Sequence, residues 1–423
     1  AIIHVVYDCV PGAYAGGVQK MVFELASAQR LAGADVEVWA VNALRAGATE
    51  DHGGLTLRYF MPDDALGLVK SDRLEAHLRA LPPGHVLHAH NSFHPLNLQV
   101  GEAGAARGFP VYYHPHGALD PSLFQGWSWR ALKKRLYIRF VGRLDLNRSA
   151  GVFALTGNEE GQLRSLGVTA PVAVIPNGVA AAESAEVPAA EAARRAAAFR
   201  ATHGVPATAK VLLFVGRINP KKRLEDIIAA FAELAPREPD LHLILAGQAD
   251  AAYSRVLRAM VDRTGLSARV RWVGFLDETA KPAAYAAADC FVHASVSEGM
   301  ALAILEAMAQ GLPVVATEGC YMRAAAERGA LRECAQGAHL QRRIVRRERF
   351  EQRVHERERR HRDEHREDAA CRPRPRVRET HGYRLKGRRL RSRAPRISRA
   401  DLSGRRTARS MPRPRSICSA RAP

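Results

Sequence analysis

This 423-residue sequence has no long hydrophobic run. Its apolar segments are of strand or helix length, and none approaches the ~20 residues that a membrane-spanning helix needs. The sequence also shows no basic start followed by an apolar stretch, so no secretory signal is visible. The sequence therefore predicts no membrane-spanning helix.

Cysteine is scarce and unpatterned. The six cysteines form no CxxC pair and follow no regular spacing, so the sequence predicts neither a zinc site nor a disulfide framework. We therefore expect the protein to reside in a reducing compartment, the cytoplasm. The cysteines are Cys9, Cys290, Cys320, Cys334, Cys371 and Cys418.

The net charge of +20 is confined to one end of the chain. Residues 1–320 carry 31 basic and 31 acidic side chains, whereas residues 321–423 carry 32 basic and 12 acidic ones. Hydrophobic residues make up 47% of the sequence, which is enough for sizeable cores. The net positive charge of the whole chain therefore gives no indication of what the first 320 residues bind.

Short apolar runs alternate with amphipathic stretches over residues 1–180. Most runs are continuously apolar, as expected for strands buried on both faces of a parallel sheet. Between the first two runs, a helical stripe precedes Gly33, which stands where a helix C-terminus is expected. The stripe consists of Val18, Met21, Val22, Leu25, Ala28 and Leu31. The predicted strands begin at Ile2, Asp35, Leu55, His85, Val111, Gly151 and Val172.

An alanine-rich stretch with prolines at residues 181–206 predicts a linker. The alternation then resumes over residues 207–328. Predicted strands begin at Val211, Leu241, Val270, Cys290 and Pro313, with helices near 223–236, 251–266, 278–288 and 301–311. We predict an α/β protein with two tandem Rossmann-like domains that face each other across a cleft. A ligand should bind there, outside the carboxyl ends of the strands.

The segment SEGMALAILEAMAQGLPVVAT predicts a helix with Glu298 at its N-terminal end. Glu306 follows eight residues later and so lies two turns along the same face. The backbone amides of Gly299, Met300 and Ala301 would be the free donors of the first turn, and with the helix dipole they would suit a diphosphate. The spacing is equally compatible with a surface helix that carries two solvated glutamates.

A second motif, FVGRINPKKRLEDII, places two cations just after a strand. Arg217 and Lys222 lie in a short loop between this strand and the next helix. Two cations at a strand's carboxyl end suit a phosphate leaving group, because they offset its charge as the bond breaks. An ordinary basic loop is the alternative interpretation of this motif.

Taken in order, these segments resemble the family-4 retaining glycosyltransferases, which have the GT-B fold. The resemblance covers residues 1 to about 328. It depends on Gly16-Gly17, HPHGALDP from His114, VAVIPNGV from Val172, VGRINPKK from Val215, and the segment with the two glutamates. The stretch HGALDPSLFQGWSWRALKKRLY is similar to bacterial members that build exopolysaccharide or other surface glycans.

The resemblance implies roles in donor binding. Gly16 and Gly17 would form a tight loop that faces the donor phosphates and sugar, and His116 would contact the transferring sugar. Arg217 and Lys222 would bind the diphosphate and stabilise the departing nucleotide.

Four further positions complete the implied site. Glu298 would approach the donor sugar, and Glu306 would bind the ribose hydroxyls. The backbone near Phe275 and Leu276 would border the base. The implied reaction is hexosyl transfer from a nucleoside-diphosphate sugar to an acceptor hydroxyl, with retained configuration and by front-face attack. The glutamates are therefore not expected to be a glycosidase acid/base pair.

We expect no cofactor and no metal. The sequence contains no Asp-x-Asp pair, the usual metal handle of the other glycosyltransferase fold. Its histidine-rich segments HAH and HPH suggest a metal site, but no carboxylate or cysteine cluster accompanies them. The histidines in question are His85, His88, His90, His94, His114 and His116.

The segment WSWRALKKRLYIRFVGRL, from Trp127, predicts a basic and aromatic helix. Such a helix suits the surface of an anionic membrane, and hence a lipid-linked glycan acceptor. A domain helix with a solvated basic face is the alternative. We expect a cytoplasmic protein that contacts the inner face of the plasma membrane peripherally.

The arginine-rich region 329–423 lacks the alternation of strands and helices. Only 16 of residues 321–423 are Val, Ile, Leu, Met, Phe, Trp or Tyr, too few for a core, so we expect disorder. A basic arm for nucleic acid or membrane, a charged helix at 341–368, and a reading-frame shift are three interpretations, of which we favour the frame shift. It would leave the second domain incomplete.

Three other functions stay open from the sequence. One is a phosphorylase- or epimerase-like enzyme on the same fold, and another is an inactive truncated glycosyltransferase. The third is a nucleic-acid-binding protein that acts through the tail, although we expect no nucleic acid at the folded part. A dinucleotide oxidoreductase is disfavoured, because Gly12, Gly16 and Gly17 do not fit GxGxxG.

Overall fold

The computed structural model describes residues 1–12, 16–63, 69–124, 129–179 and 188–334. Within these residues fourteen strands form two sheets. The first sheet contains β1 (Ile2–Tyr7), β2 (Val36–Val41), β3 (Thr49–His52), β4 (Leu55–Phe60), β5 (Val86–His90), β6 (Val111–His114), β7 (Gly151–Ala154) and β8 (Val172–Val174). The second contains β9 (Lys210–Val215), β10 (Leu241–Ala246), β11 (Val270–Gly274), β12 (Cys290–His293), β13 (Val314–Thr317) and β14 (Arg332–Cys334).

Both sheets are doubly wound. The first has the order β3-β4-β2-β1-β5-β6-β7-β8 and is parallel except for β3, which pairs with β4 as an antiparallel hairpin. The second has the order β11-β10-β9-β12-β13-β14 and is parallel throughout. The strand order reverses beside β1 and beside β9, which is where ligands bind in open α/β sheets. The α/β prediction with two Rossmann-like domains is confirmed.

Helices cover the faces of the two sheets. Those of the first half are α1 (Gly17–Leu31), α2 (Asp72–Ala80), α3 (Pro95–Arg107), α4 (Trp129–Tyr137), α5 (Arg143–Arg148) and α6 (Gly157–Ser165). Those of the second half are α7 (Ala189–Thr202), α8 (Leu224–Leu234), α9 (Ala251–Arg263), α10 (Lys281–Ala286), α11 (Leu302–Ala309) and α12 (Arg323–Glu327). The side chains of Ser71, Thr156 and Asp250 cap α2, α6 and α9 by accepting from first-turn amides.

Each sheet is buried on both faces, as its continuously apolar strands predicted. In β1, Ile3 and Val5 belong to one hydrophobic core and Val6 to another. In β9, Phe214 and Leu213 divide between two further cores in the same way. All twelve strands predicted from the sequence are present. Only β3 and β14 were missed, and both are short strands at sheet edges.

Helix α1 differs in part from the predicted stripe. Met21 and Val22 are buried, but Leu31, in the last turn, is 88% exposed. Gln19 and Ala26 are buried instead. A glycine does follow the helix: Gly33 has φ of 88°, the left-handed conformation expected there.

Two predicted domain boundaries need correction. Helix α7 occupies much of the predicted linker 181–206, and it packs on the second domain through buried Phe199. Its Arg200 donates from Nε to the carbonyl oxygen of Ala287 at 2.9 Å. Strand β14 pairs with β13 beyond residue 328, where the tail was expected to begin. Residues 335–423, including the predicted charged helix at 341–368, lie outside the described residues.

Candidate functional site

A cleft of about 340 Å³ lies between the two sheets, at the carboxyl ends of their strands. Loops after β1, β6 and β7 form one wall, and loops after β9, β10, β11 and β12 form the other. The cleft brings together every site residue predicted from the sequence. They are Gly16, Gly17, His116, Arg217, Lys222, Leu276, Glu298, Gly299, Met300, Ala301 and Glu306.

An ion pair lies on the side of the cleft that the second domain forms. Nζ of Lys222, in the turn after β9, donates to Oε1 of Glu298, in the loop after β12, at 2.6 Å. Both side chains are only 13% exposed. Burial alone would raise the pKa of Glu298, but Lys222, His293 and Lys221 outweigh it and hold that pKa well below its usual range. Glu298 is therefore a carboxylate at neutral pH.

Arg217 supplies a second cation on the same wall. It follows β9 directly and its side chain is exposed to the cleft. Among the described residues it makes no ion pair, in contrast to Lys222. A guanidinium in this position is free to bind an anion bidentately.

The helix that carries Glu306 begins later than predicted. Helix α11 starts at Leu302 with Ala301 as its N-cap, so Glu298 lies in the preceding loop and not on the helix. Gly299 lies in that loop, in close contact with the backbone of His116 in the other domain. Leu302 and Ala303 are the first two residues of α11 and line the cleft, and first-turn amides have no acceptor within their own helix.

Glu306 lies at the centre of a charged cluster that joins the domains. Its Oε1 accepts from Nζ of Lys20 at 2.7 Å, and its Oε2 accepts from the hydroxyl of Tyr285 at 2.8 Å. Lys20, on α1 of the first domain, also pairs with Glu278. Burial lowers the pKa of Lys20, but Glu306, Glu278 and Glu24 together raise it above its usual value. Lys20 is therefore a fixed cation that links α1 to the second domain.

The two domains touch through glycines. Gly117 has φ of 74°, and a Cβ there would lie 2.4 Å from Cα of Gly299. The carboxylate of Glu159 accepts from the amide of Gly117 at 2.5 Å and from that of Leu155 at 2.7 Å, which fixes the loop. His116, immediately before Gly117, has φ of 56° and faces the cleft. Only glycine permits this approach of the two backbones.

A buried carboxylate makes a second contact between the domains. Oδ2 of Asp120 accepts from the hydroxyl of Ser297 at 2.5 Å and from that of Tyr321 at 2.6 Å. Asp120 belongs to the HGALDP motif, and both donors belong to the second domain. The motif therefore holds the domains together as well as presenting His116.

Five imidazoles, that of His116 included, cluster on one face of the first sheet. His4 and His88 are in register on β1 and β5, and His90 and His114 on β5 and β6. The ring nitrogens of two overlapping groups, one with His4, His88 and His90 and one with His90, His114 and His116, lie within 4.8 Å of one another. The predicted histidines His85 and His94 lie outside these groups, and His4 was missed because only strand pairing brings it here.

Several cleft residues were not predicted from the sequence. Lys20 lies one turn after Gly17 and pairs with Glu24 one turn later on α1, so in the sequence it is indistinguishable from an ordinary i,i+4 ion pair. The others were not assigned a role from the sequence. They are Asn177, Lys221, Gln248, Glu278, Lys281, His293 and Tyr285.

The predicted basic and aromatic helix exposes an apolar stripe. It spans α4, a π-helical turn (Ile138–Gly142) and α5. The stripe residues recur every three or four positions and are between 38% and 70% exposed: Trp129, Leu132, Leu136, Phe140 and Leu144. The basic side chains of Lys133 and Arg139 are exposed beside it. In the described part of the chain no helix has both the length and the apolar character to cross a bilayer.

The four cysteines that the structure describes, Cys9, Cys290, Cys320 and Cys334, are buried and do not line the cleft. Burial raises the pKa of Cys9 and of Cys320 to about 12, so neither is a reactive thiolate.

Comparison with known proteins assigns both halves of the chain to families. Residues 16–178 match the family Glycosyl transferase 4-like domain, and residues 196–352 match Glycosyl transferases group 1. A D-inositol 3-phosphate glycosyltransferase from Kineococcus radiotolerans is 30% identical over 332 residues, which is 71% of this chain and 73% of that protein. A phosphatidyl-myo-inositol mannosyltransferase from Mycobacterium tuberculosis is 28% identical over 322 residues, 72% of this chain and 74% of that protein.

A solved structure shares the fold. The crystal structure of Anabaena HepE in complex with UDP and glucose superposes with a TM-score of 0.61 at 21% identity. The match covers 80% of this chain and 86% of that one.

Proposed function

The chain belongs to the group 1 glycosyltransferases of the GT-B fold, and on that premise we propose that it transfers a sugar from a nucleoside-diphosphate donor held in the cleft. The observation that carries the proposal is the convergence of two cations, a helix N-terminus and two ordered carboxylates on one cleft of about 340 Å³. A diphosphate needs the first two features, and a sugar and a ribose need hydrogen-bond acceptors.

The diphosphate binds to the second-domain wall. Arg217 and Lys222 contact its oxygens, and the first-turn amides of α11 add neutral donors and the helix dipole. Gly16 and Gly17 face the phosphates from the first domain and admit close backbone approach. As the sugar–phosphate bond breaks, negative charge grows on the leaving diphosphate. The fixed cations stabilise that charge without having to reorganise.

The nucleoside and the sugar extend to either side. Glu306 accepts from the ribose hydroxyls with lone pairs that Lys20 and Tyr285 leave free, since a carboxylate has about four acceptor sites. The base lies beside Phe275 and Leu276. His116 and Glu298 contact the transferring sugar.

Transfer proceeds with retention by front-face attack and without a metal or other cofactor. Glu298 cannot serve as a general acid at neutral pH, because Lys222 keeps it ionised. The two carboxylates thus bind the substrate and do not form an acid/base couple.

The acceptor is a glycan or a lipid-linked glycan at a membrane. The stripe from Trp129 to Leu144 fits an anionic bilayer surface, because apolar side chains can insert while Lys133 and Arg139 meet lipid phosphates. This placement puts the protein at the inner face of the plasma membrane, and it suits synthesis of exopolysaccharide or another surface glycan.

Vesicle binding tests the membrane contact. The double change Leu136→Ser with Phe140→Ser should lower partitioning to phosphatidylglycerol vesicles by about tenfold or more, because each side chain loses apolar area buried in the lipid. Val256→Ser is the matched control, since Val256 is 62% exposed on α9, away from the stripe. Equal partitioning of the double variant and the control would contradict the contact.

Donor turnover tests the chemistry. The full-length protein should release nucleoside diphosphate from one nucleotide sugar, and proton NMR of the glycoside formed should show the donor's anomeric configuration. Release of a sugar phosphate, or of an epimerised sugar, would instead indicate a phosphorylase- or epimerase-like enzyme. Inversion at the anomeric carbon would contradict the retaining mechanism.

A further inference from the structure

Three of the clustered imidazoles form a hydrogen-bonded chain that ends at the cleft. Oε1 of Gln29, on α1, lies 2.7 Å from Nε2 of His4. Nδ1 of His4 lies 2.9 Å from Nε2 of His90, and Nδ1 of His90 lies 3.0 Å from Nε2 of His116. The chain therefore runs from α1 through the sheet to a residue that lines the cleft.

All three imidazoles are neutral at physiological pH. Burial lowers the pKa of His4 to about 4, and burial together with the neighbouring histidines holds those of His90 and His116 well below the usual value. The ring of His88 lies tilted against that of His90 at a centroid distance of 4.1 Å, and the ring of His114 stacks on that of His116 at 3.9 Å. A neutral imidazole has one N–H and one lone pair, so each ring can donate once and accept once.

Because of this restriction, all the hydrogen bonds between these imidazoles run in the same direction. A carboxamide oxygen only accepts, so Nε2 of His4 must carry the proton and Nδ1 must be the acceptor. His90 must then donate from Nε2 and accept at Nδ1, and His116 must donate from Nε2. Each tautomer fixes the next, and the last ring presents an unprotonated Nδ1. Among the described residues Nδ1 of His116 has no protein partner.

We infer that Gln29, His4 and His90 are positioning residues that fix the tautomer of His116, so that its Nδ1 accepts a hydrogen bond from a hydroxyl of the bound sugar. The inference extends the proposed function, on which the identity of the ligand depends. It explains why an uncharged polar row lies in a sheet otherwise filled with apolar side chains. A site built to accept from a hydroxyl also rejects a deoxy sugar, because the lone pair is then left unpaired.

The tautomers can be measured directly. We would label the full-length protein with 15N-histidine and use long-range proton–nitrogen correlation NMR, assigning rings by single His→Phe variants. The expected result is that His4, His90 and His116 all carry the proton on Nε2. The opposite tautomer in all three rings would overturn the inference. So would stoichiometric zinc that survives dialysis and whose removal shifts these rings, because a metal would occupy the same lone pairs.

Two substitutions at the far end of the chain separate positioning from packing. Gln29→Glu keeps an acceptor and should keep the tautomers and the donor KM of the wild type. Gln29→Met has similar volume but no acceptor, and it should mix the tautomers and raise the donor KM by about 2- to 12-fold with little change in kcat, the range expected for one neutral hydrogen bond. An equal rise in KM for both variants would show that Gln29 acts only through packing.

The proposed function and the inference about the imidazole tautomers can be refuted independently. A protein with the expected tautomers but no sugar transfer would contradict the proposed function without contradicting the hydrogen-bonded chain of imidazoles. A protein that transfers sugar with the opposite tautomers, or with equal activity toward the donor and its deoxy analogues, would overturn the inference alone.

Discussion

The contact between Gly117 and Gly299 predicts that a single methyl group should impair donor binding. In Gly299→Ala, the new Cβ would lie 2.6 Å from the carbonyl oxygen of His116, 2.8 Å from its carbonyl carbon and 2.9 Å from Cδ1 of Leu155. All three separations are below the 3.0 Å that real Cβ atoms essentially always exceed.

The clash cannot be relieved by a side-chain rotation. Two of the three atoms are backbone, and the loop that carries them is fixed by Glu159 through the amides of Gly117 and Leu155. The domains must therefore separate. Overpacking of this kind costs about 1–3 kcal/mol, and here it destabilises only the arrangement in which the two domains are in contact. A free-energy penalty of that size lowers the affinity of a ligand that contacts both domains by about 5- to 150-fold.

Titration calorimetry with the bound nucleoside diphosphate, and kcat/KM with its sugar, should both report this loss. Thermal unfolding should change little, because each domain keeps its own core. Gly161→Ala is the matched control: it lies on α6 with nothing within 4 Å of its Cβ position, and it should bind and react like the wild type. Wild-type affinity and kcat/KM in Gly299→Ala would refute the reasoning.

Two further changes test the carboxylates. Lys222→Met leaves Glu298 buried without its partner and should lower the free energy of unfolding by about 3–5 kcal/mol at pH 7. Lys222 holds the pKa of Glu298 well below its ordinary 4.5, so the pair stabilises the fold fully above pH 4.5 and progressively less as the pH falls below that value. The deficit of the variant in urea melts should therefore shrink from pH 4.5 downwards, and a deficit that stays constant there would count against the pair. Tyr285→Phe removes a donor to Glu306 and should weaken nucleoside-diphosphate binding by about 2- to 12-fold. That loss should vanish in calorimetry with a 2′,3′-dideoxy nucleotide, and an equal loss with both nucleotides would mean that Glu306 does not bind the ribose.

The fold was predictable because its strands are apolar on both faces. Runs such as those beginning at Ile2 and Val211 leave few alternatives to buried parallel strands, and the helices between them then follow. The edge strand β3 was not predictable in this way, since its sequence TEDH is polar and its pairing depends on the hairpin with β4. Helix α7 was missed because an alanine-rich stretch has little amphipathic pattern.

The site was predictable where each residue follows a strand or precedes a helix. Arg217, Lys222 and Glu298 all do so, and the structure places them around one cleft. The contacts across the cleft could not be predicted, because Lys20 and Glu306 are 286 residues apart and no local pattern relates them. The start of α11 was also misplaced, since Gly299 lies in the loop before the helix, in contact with the other domain.

The imidazole cluster shows what strand register adds. From the sequence, HAH and HPH each offered two imidazoles one residue apart on a strand, with no carboxylate or cysteine cluster beside them. The register of β1 with β5, and of β5 with β6, adds His4 and aligns the rings on one face. Register follows from the packing of whole strands, so it cannot be deduced from the two motifs alone.

The most direct test of a nucleotide-sugar site in the cleft is calorimetric titration of the full-length protein with UDP, GDP and ADP, in the wild type and in Arg217→Ala. One of the three diphosphates should bind, and Arg217→Ala should weaken it by about tenfold or more, as expected for a charge-assisted contact of 1.5–3 kcal/mol. Binding of none of them, or binding that Arg217→Ala leaves unchanged, would contradict the proposal that this cleft holds the donor.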